Sequence, residues 1–196
     1  GEMPNTHLTV IDCGEAKAVL EICGLVEAKD SKITNEFHTD EGVVRDGKFF
    51  AKGKTEGVPI ANFPPPGAPE QGPRHMRQFI DCVRSRRREY LTAEILEGHR
   101  SAALAHLGNI SYRTGSDMPF DAARKTFDGD AMFYEAFEGM KQFLVDGGRL
   151  DLSDSTYRVG RMLEYDAEAE RFIDCAEADA LLRRTYRAPF VVPEEV

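Results

Sequence analysis

The 196-residue chain has no tryptophan, four cysteines, no excess of positive charge and no long apolar run. A transmembrane helix needs about 20 mostly apolar residues, so none is predicted. No basic segment followed by an apolar stretch opens the chain, so no secretory signal peptide is visible. The formal net charge is −9, whereas general nucleic-acid-binding proteins are basic. These absences favour a globular domain that neither crosses a membrane nor binds nucleic acid.

The four cysteines are Cys13, Cys23, Cys82 and Cys175. None forms a C-x-x-C pair, so a zinc site is not predicted. Their scatter favours buried free thiols and a reducing compartment. Cys13 and Cys23 flank a predicted hairpin, which leaves one disulfide between them open.

One local cluster of positive charge departs from the acidic composition. It lies within RHMRQFIDCVRSRRREY and comprises Arg74, Arg77, Arg84, Arg86, Arg87 and Arg88. Cations are favourable near a helix C-terminus, so we interpret the cluster as a solvated helix end. The alternative, a nucleic-acid-binding patch, predicts a DNA affinity that depends steeply on salt.

The first third of the chain has the composition of β-strands. HLTVIDC and KAVLEIC, separated by Gly14 and followed by Gly24, predict a hairpin. KITNEFH, EGVVRD and GKFFAKG predict further short strands, with a tight turn at Asp46-Gly47. Residues 61–74 are rich in proline and glycine, which predicts a loop.

Helical periodicity begins at His75. The apolar residues Met76, Phe79, Ile80 and Val83 lie on one face of a helix. EILEGHRSAALAHLGNISYRTG, residues 94–115, predicts a second helix that is apolar along Leu96, Ala103, Leu107 and Ile110 and small along Gly98, Ser101, Ala105 and Gly108. Because glycine costs about 1 kcal/mol in a helix, we expect another backbone to approach the small side. Gly115 is the predicted C-cap.

The remaining chain predicts a third helix over about 130–146, capped by Asp128 or Asp130 and ended by Gly147-Gly148. TYRVGRMLEY alternates like a strand. Asp174 and Glu177 have capping-box spacing for a last short helix. The tail YRAPFVVPEEV is predicted to be extended and to pack through Phe190 and Val191.

Strands that precede helices indicate an α+β fold rather than a parallel doubly wound sheet. We expect a two-layer α/β arrangement, in which helices pack on one face of a mainly antiparallel open sheet. The uncovered face then predicts a homo-oligomer.

The histidines are the first candidates for a site. His99 and His106 are seven residues apart, about 10 Å along a helix, which is too far to hold one metal ion. They are either half-buried structural residues or substrate contacts. His75, at a helix start below the proline-rich loop, is either exposed or at a pocket edge. The candidate substrate-binding residues are therefore His75, His99, Arg100 and His106.

No catalytic, cofactor-binding or metal-binding residue is predicted in this chain. It contains no G-x-G-x-x-G between a strand and a helix, no phosphate-binding loop and no G-x-S-x-G. The acidic pairs at 128 and 130, 151 and 154, and 194 and 195 are interpreted as helix capping, turn formation and a solvated tail.

Several separated segments resemble one family. FIDCVRSR, AEILEGH and HLGNISYRTG, with NTHLTVIDCGEAKAVLEICGL before them and RFIDCAEADALLRRTYRAPFVVPEEV after them, resemble the C-terminal domain of bacterial Gfo/Idh/MocA-family oxidoreductases. The resemblance covers almost the whole chain in order and is weakest around residues 38–72.

The resemblance implies a two-part parent protein, in which an N-terminal Rossmann domain binds NAD or NADP. The C-terminal domain, here 1–196 with 150–196 as an extension, supplies substrate contacts and the oligomer interface. The family's E-K-P lysine and D-x-x-x-H motifs are absent here, and the chain starts at Gly1. We therefore expect a piece of an oxidoreductase for a sugar, polyol or similar hydroxyl or carbonyl compound, inactive alone.

The alternative is a stand-alone, non-catalytic domain that binds a ligand or a protein. A cytoplasmic location is the default expectation, although an export signal upstream of Gly1 would not be visible. The discriminating observation is the coding sequence before Gly1.

Overall fold

The computed structural model describes residues 4–24, 35–61, 73–91, 93–120 and 131–193. Residues 62–72 of the predicted loop and the capping candidates Asp128 and Asp130 lie outside these ranges. The described elements, in chain order, are β1 (Thr6–Asp12), β2 (Lys17–Cys23), β3 (Phe37–His38), β4 (Gly42–Arg45), β5 (Lys48–Ala51), β6 (Val58–Pro59), α1 (Pro73–Ser85), α2 (Ile95–Arg113), β7 (Ser116–Pro119), α3 (Ala131–Asp146), β8 (Thr156–Val159), β9 (Tyr165–Asp166), β10 (Arg171–Phe172) and α4 (Ala176–Asp179).

The α+β class is confirmed, and the strand pairs are antiparallel. Within the described ranges, the strands form four small sheets rather than one open sheet: β1-β2, β3-β4-β5-β6, β7-β8 and β9-β10. The chain divides into two compact units, residues 1–27 with 98–196, and residues 28–97. Residues 150–196, expected as an extension, belong to the first of these units.

The first unit begins with the predicted hairpin, which pairs Thr6 with Cys23 and Asp12 with Lys17. Cys13 and Cys23 therefore lie at opposite ends of it, about 20 Å apart at the usual strand rise. A disulfide needs Cα atoms within about 7 Å, so the bridge left open by the sequence does not form. All four cysteines are free, with Cys82 and Cys175 buried and Cys13 and Cys23 exposed.

Two clusters of side chains stabilise the first unit. One is centred on Ile110 of α2 and on Phe172, Cys175 and Ala178, all buried. The other is aromatic: the ring of Tyr157 on β8 lies 4.6 Å from that of Phe120 and 5.3 Å from that of Phe137 on α3. The hairpin is covered by helices, since α3 contacts both of its strands and Gly108 of α2 faces Thr9.

The second unit is the β3–β6 meander with α1. The predicted Asp46-Gly47 turn is confirmed: both residues have positive φ, 47° and 72°, as a type I′ hairpin requires. Pro73 opens α1, where its missing N–H costs nothing. None of the helices in the described ranges has the length and hydropathy that crossing a membrane requires.

Four local predictions were wrong, and the first two concern segments that lie beside α2. Gly115 is not a left-handed cap; a Cβ there would lie 2.0 Å from the carbonyl oxygen of Val159, so glycine is needed for close approach of β8. TYRVGRMLEY is not one strand, because after Val159 the backbone of Arg161 bonds Ser111 of α2 instead of another strand.

The other two concern the C-terminal region. Cys175, not Asp174, is the N-cap of α4 and makes no side-chain capping bond, while Asp174 has a φ of 52°. Phe190 and Val191 were expected to pack on another element, yet their exposures are 70% and 56%. The expected packing is thus not observed, and the guanidinium of Arg187 lies over the ring of Phe190, 5.5 Å from its centroid.

Candidate functional site

The candidate site is centred on a hydrogen bond between α2 and the turn that joins β9 to β10. Nε2 of His99 lies 2.7 Å from Oε1 of Glu170, although the residues are 71 positions apart. The exposed fractions of the two side chains are 52% and 57%. An imidazole whose one nitrogen is held by a carboxylate presents the other in a defined orientation.

The β9–β10 turn positions Glu170. The carboxylate of Asp166 accepts hydrogen bonds from the backbone N–H groups of Glu168 (3.0 Å) and Ala169 (2.9 Å), which closes the turn. Glu170 itself has a φ of 49°, a left-handed conformation that a non-glycine residue rarely adopts. Such strain is typical of functional positions. Here the strained residue carries the carboxylate that is bonded to His99.

The surroundings of this pair are acidic. Burial raises the pKa of the Tyr165 hydroxyl, and the negative charges of Glu170, Asp166 and Asp179 raise it further. Asp179 of α4 also accepts a hydrogen bond of 2.6 Å from the backbone N–H of Phe172. Tyr165 thus stays a neutral hydroxyl group close to the carboxylates.

The small side of α2 fixes this helix on the hairpin. A Cβ at Gly108 would lie 2.7 Å from Oγ1 and 2.8 Å from Cγ2 of Thr9, so β1 packs closely here through a side chain, not through the backbone that was predicted. At Gly98 a Cβ would meet nothing within 4 Å. The approach is therefore confined to the C-terminal half of the helix.

His7 lies beside this contact. Its Nε2 is 3.1 Å from Oγ1 of Thr9, and its ring meets that of Tyr112 edge-on at 6.0 Å. Burial lowers the pKa of His7, because a desolvated imidazole disfavours the charged form. The residue is therefore a packed, neutral histidine under the helix rather than a group presented to a substrate.

Arg158 of β8 binds the C-terminal end of α2. Its guanidinium donates to the carbonyl oxygens of Tyr112 (2.9 Å), Gly115 (2.8 Å) and Arg113 (3.3 Å), and to the carboxylate of Asp117 (3.2 Å). Carbonyls at a helix C-terminus lack partners within the helix. Arg158 satisfies them and holds α2 in place.

Three of the four predicted substrate-binding residues lie in the first unit and one lies in the second. His99 forms the pair with Glu170, and Arg100 follows it on an exposed position of α2. His106 is exposed and forms no hydrogen bond with another described residue. His75 lies in the first turn of α1, in the second unit, and its side chain lies outside the described residues.

Glu170, Tyr165, Arg158 and His7 were not singled out from the sequence. The segment YDAEAERF carried a signal for the first two: an aspartate can close a tight turn by accepting from the backbone N–H groups that follow. Nothing in the sequence indicated that this turn meets α2. Within the described ranges, no group of three or more His, Cys, Asp or Glu side chains is arranged to hold a metal ion.

Comparison with known proteins gives no relative. No protein family, no curated protein and no solved structure matches the chain.

Proposed function

We propose that this chain is the C-terminal substrate domain of an NAD(P)-dependent oxidoreductase that acts on a sugar, a polyol or a related hydroxyl or carbonyl compound. The observation that carries the proposal is the His99–Glu170 pair, an oriented imidazole exposed on α2. The resemblance of FIDCVRSR, AEILEGH and HLGNISYRTG to the Gfo/Idh/MocA family supports the reaction class.

The His99–Glu170 pair suits both the hydroxyl form and the carbonyl form of the substrate. When Nε2 of His99 carries the proton and donates a hydrogen bond to Glu170, Nδ1 has a free lone pair and accepts a hydrogen bond from a substrate hydroxyl. When the ring is protonated, Nδ1 donates to a carbonyl oxygen instead. A group that serves alcohol and carbonyl alike is what a reversible oxidoreductase needs to hold its substrate.

In this proposal the redox chemistry belongs to an N-terminal Rossmann domain and not to the residues described here. NAD or NADP, bound by an N-terminal Rossmann domain, would supply the hydride acceptor, and the lysine of that domain's E-K-P motif would handle the proton. This chain's part is to bind and orient the substrate through His99, with Glu170 as the positioning residue.

The experiment uses the protein encoded by the complete reading frame and a panel of polyols and sugars. His99→Gln and Glu170→Gln should each lower kcat/KM about 10- to 100-fold, since a hydrogen bond to a charged group contributes about 1.5–3 kcal/mol. Glu138→Gln is the matched control, because it removes an exposed carboxylate that forms an ion pair with Lys141 on α3. Equal activity in all three variants would refute the role of the pair.

A second candidate function, a protein-interaction module, is favoured by one observation. Met76, Phe79 and Val83 leave the apolar side of α1 exposed at 65%, 57% and 47%. The two functions differ in the coding sequence before Gly1: a dinucleotide-binding fingerprint and an E-K-P motif there support the oxidoreductase, and a nearby start codon supports the module.

A further inference from the structure

The second unit presents an apolar helix face that nothing in the described residues covers. On α1, the residues Met76, Phe79, Ile80 and Val83 have exposed fractions of 65%, 57%, 44% and 47%. Leu91 extends this face into a shallow, mostly apolar depression shared with Phe79 and Val83. We call Met76, Phe79, Ile80, Val83 and Leu91 the α1 surface. A contiguous exposed apolar patch is typical of an interaction site.

The α1 surface has positive charge at one end. Arg77, Arg87 and Arg88 are paired with Asp81, Glu89 and Glu94. Arg84 and Arg86 form no ion pair with any described residue, and Arg86 lines the depression. The end of α1 therefore offers two cations beside an apolar groove.

Arg86 occupies a position where glycine is usual. It follows the last residue of α1, its N–H donates to the carbonyl oxygen of Cys82 (2.8 Å), and its φ is 58°. A left-handed residue directly after a helix is most often glycine, because a Cβ is disfavoured there. An arginine at this position indicates that the guanidinium has a use that outweighs the strain.

The first unit presents a segment with the opposite character. Phe190, Val191 and Val192 have exposed fractions of 70%, 56% and 59%, and Glu194 and Glu195 follow them in the sequence. We call residues 190–196 the C-terminal tail. It combines exposed apolar side chains with two carboxylates, as the α1 surface combines an apolar groove with two arginines.

We propose that the C-terminal tail of one copy of this chain binds the α1 surface of a second copy. Phe190 and Val191 would fill the groove, and Glu194 and Glu195 would face Arg84 and Arg86. Each copy carries both surfaces, so each copy offers a tail to a partner and an α1 surface to receive one. This interface differs from the sheet face expected from the sequence, and it does not depend on the proposed enzymatic function.

Charge favours a second copy over an anionic membrane as the occupant. Residues 28–97, which contain the α1 surface, carry a net charge of +1. Since the whole chain has a net charge of −9, the remaining residues carry a net charge of −10. A basic amphipathic helix alone suits anionic lipid, but an acidic remainder is repelled by it. Glu194 and Glu195, next to the exposed apolar residues of the tail, are instead attracted locally to Arg84 and Arg86 of another copy.

Sedimentation velocity over a range of protein concentrations tests the apolar part. The unaltered chain should associate, and Phe79→Asp or Phe190→Asp should raise the dissociation constant at least tenfold. Met162→Asp is the matched control, because Met162 is 79% exposed and belongs to neither surface; it should leave association unchanged. A chain that stays monomeric at every concentration, or association that Phe79→Asp and Phe190→Asp leave intact, overturns the proposal.

A charge exchange tests the orientation of the contact. Arg84→Glu with Arg86→Glu, and separately Glu194→Arg with Glu195→Arg, should each weaken self-association, and mixing the two variants should restore a mixed dimer. Failure of the mixture to associate overturns the proposed pairing. Binding of the unaltered, monomeric chain to vesicles rich in phosphatidylserine would likewise overturn it and assign the α1 surface to lipid.

Arg86→Gly separates folding from association. Glycine relieves the positive φ, so the variant should keep or raise the melting temperature while its dissociation constant rises severalfold. Unchanged association in this variant would show that the guanidinium of Arg86 takes no part in the contact.

Discussion

Alanine at two glycines of the same helix should have opposite effects on stability. At Gly98 an added Cβ meets nothing within 4 Å, so Gly98→Ala should stabilise the first unit by about 0.5–1 kcal/mol through lower backbone entropy in the unfolded chain. At Gly108 the Cβ would lie 2.7 Å from Oγ1 and 2.8 Å from Cγ2 of Thr9. Ordinary contact distances are about 3.5–4.0 Å, so the side chain of Thr9 or the strand that carries it must move.

The free-energy cost of this movement offsets the gain in helix propensity. Overpacking costs about 1–3 kcal/mol, so Gly108→Ala should range from roughly neutral to about 2 kcal/mol destabilising after the propensity gain is added. The two variants should therefore differ in free energy of unfolding by about 1–3 kcal/mol. The sign at Gly98 and the size of the difference both follow from where the hairpin approaches α2.

Urea denaturation followed by far-UV circular dichroism measures this difference, with an unchanged m value as the check that the unfolding reaction is the same. Thr9→Ala removes the two closest atoms and leaves the Cβ of Thr9 at 3.3 Å. In that background Gly108→Ala should cost about 1–2 kcal/mol less, a coupling that a double-mutant cycle isolates. Equal stabilisation by both alanines would refute the packing of α2 on β1.

Three further predictions concern single contacts. Arg158→Lys keeps the charge but loses the planar fork that binds three carbonyls at the end of α2, so thermal unfolding should show a loss of about 1–3 kcal/mol; unchanged stability would contradict the clamp. Asp179→Ala removes the acceptor for the N–H of Phe172 and should cost about 1–2 kcal/mol, whereas Asp179→Asn, which keeps an acceptor, should cost less; equal losses would contradict the hydrogen bond. Burial lowers the pKa of His7, so the unfolded chain takes up a proton first as the pH falls below about 6.5. Stability should therefore drop between about pH 7.5 and about pH 5, and His7→Gln should reduce that drop in denaturation measured at both values; an unaltered pH dependence would contradict the burial of His7.

Local patterns in the sequence predicted several elements well. Alternation and turn residues placed the β1–β2 hairpin and the Asp46-Gly47 turn, and helical periodicity placed α1, α2 and α3. These features depend on residues close in sequence. The sequence did not predict that TYRVGRMLEY breaks at Gly160, because that break depends on hydrogen bonds to Ser111, 50 residues away.

The candidate site was predicted in part for the same reason. His99 could be named from its type and its place on a helix, but its partner Glu170 could not, because 71 residues separate them. Arg158 likewise acts on carbonyls more than 40 positions away. Periodicity also identified the apolar face of α1 without showing that it stays exposed, since burial depends on what the rest of the fold covers.

The initial rate of nicotinamide reduction with polyol and sugar substrates decides whether this chain serves an oxidoreductase, when it is measured on the product of the complete reading frame and on the 196-residue chain. We predict that the complete product reduces NAD or NADP with at least one of these substrates and that the chain alone does not. Turnover by the chain alone would contradict the proposed oxidoreductase function. A complete product that neither contains a dinucleotide-binding domain nor reduces either nicotinamide would contradict it as well.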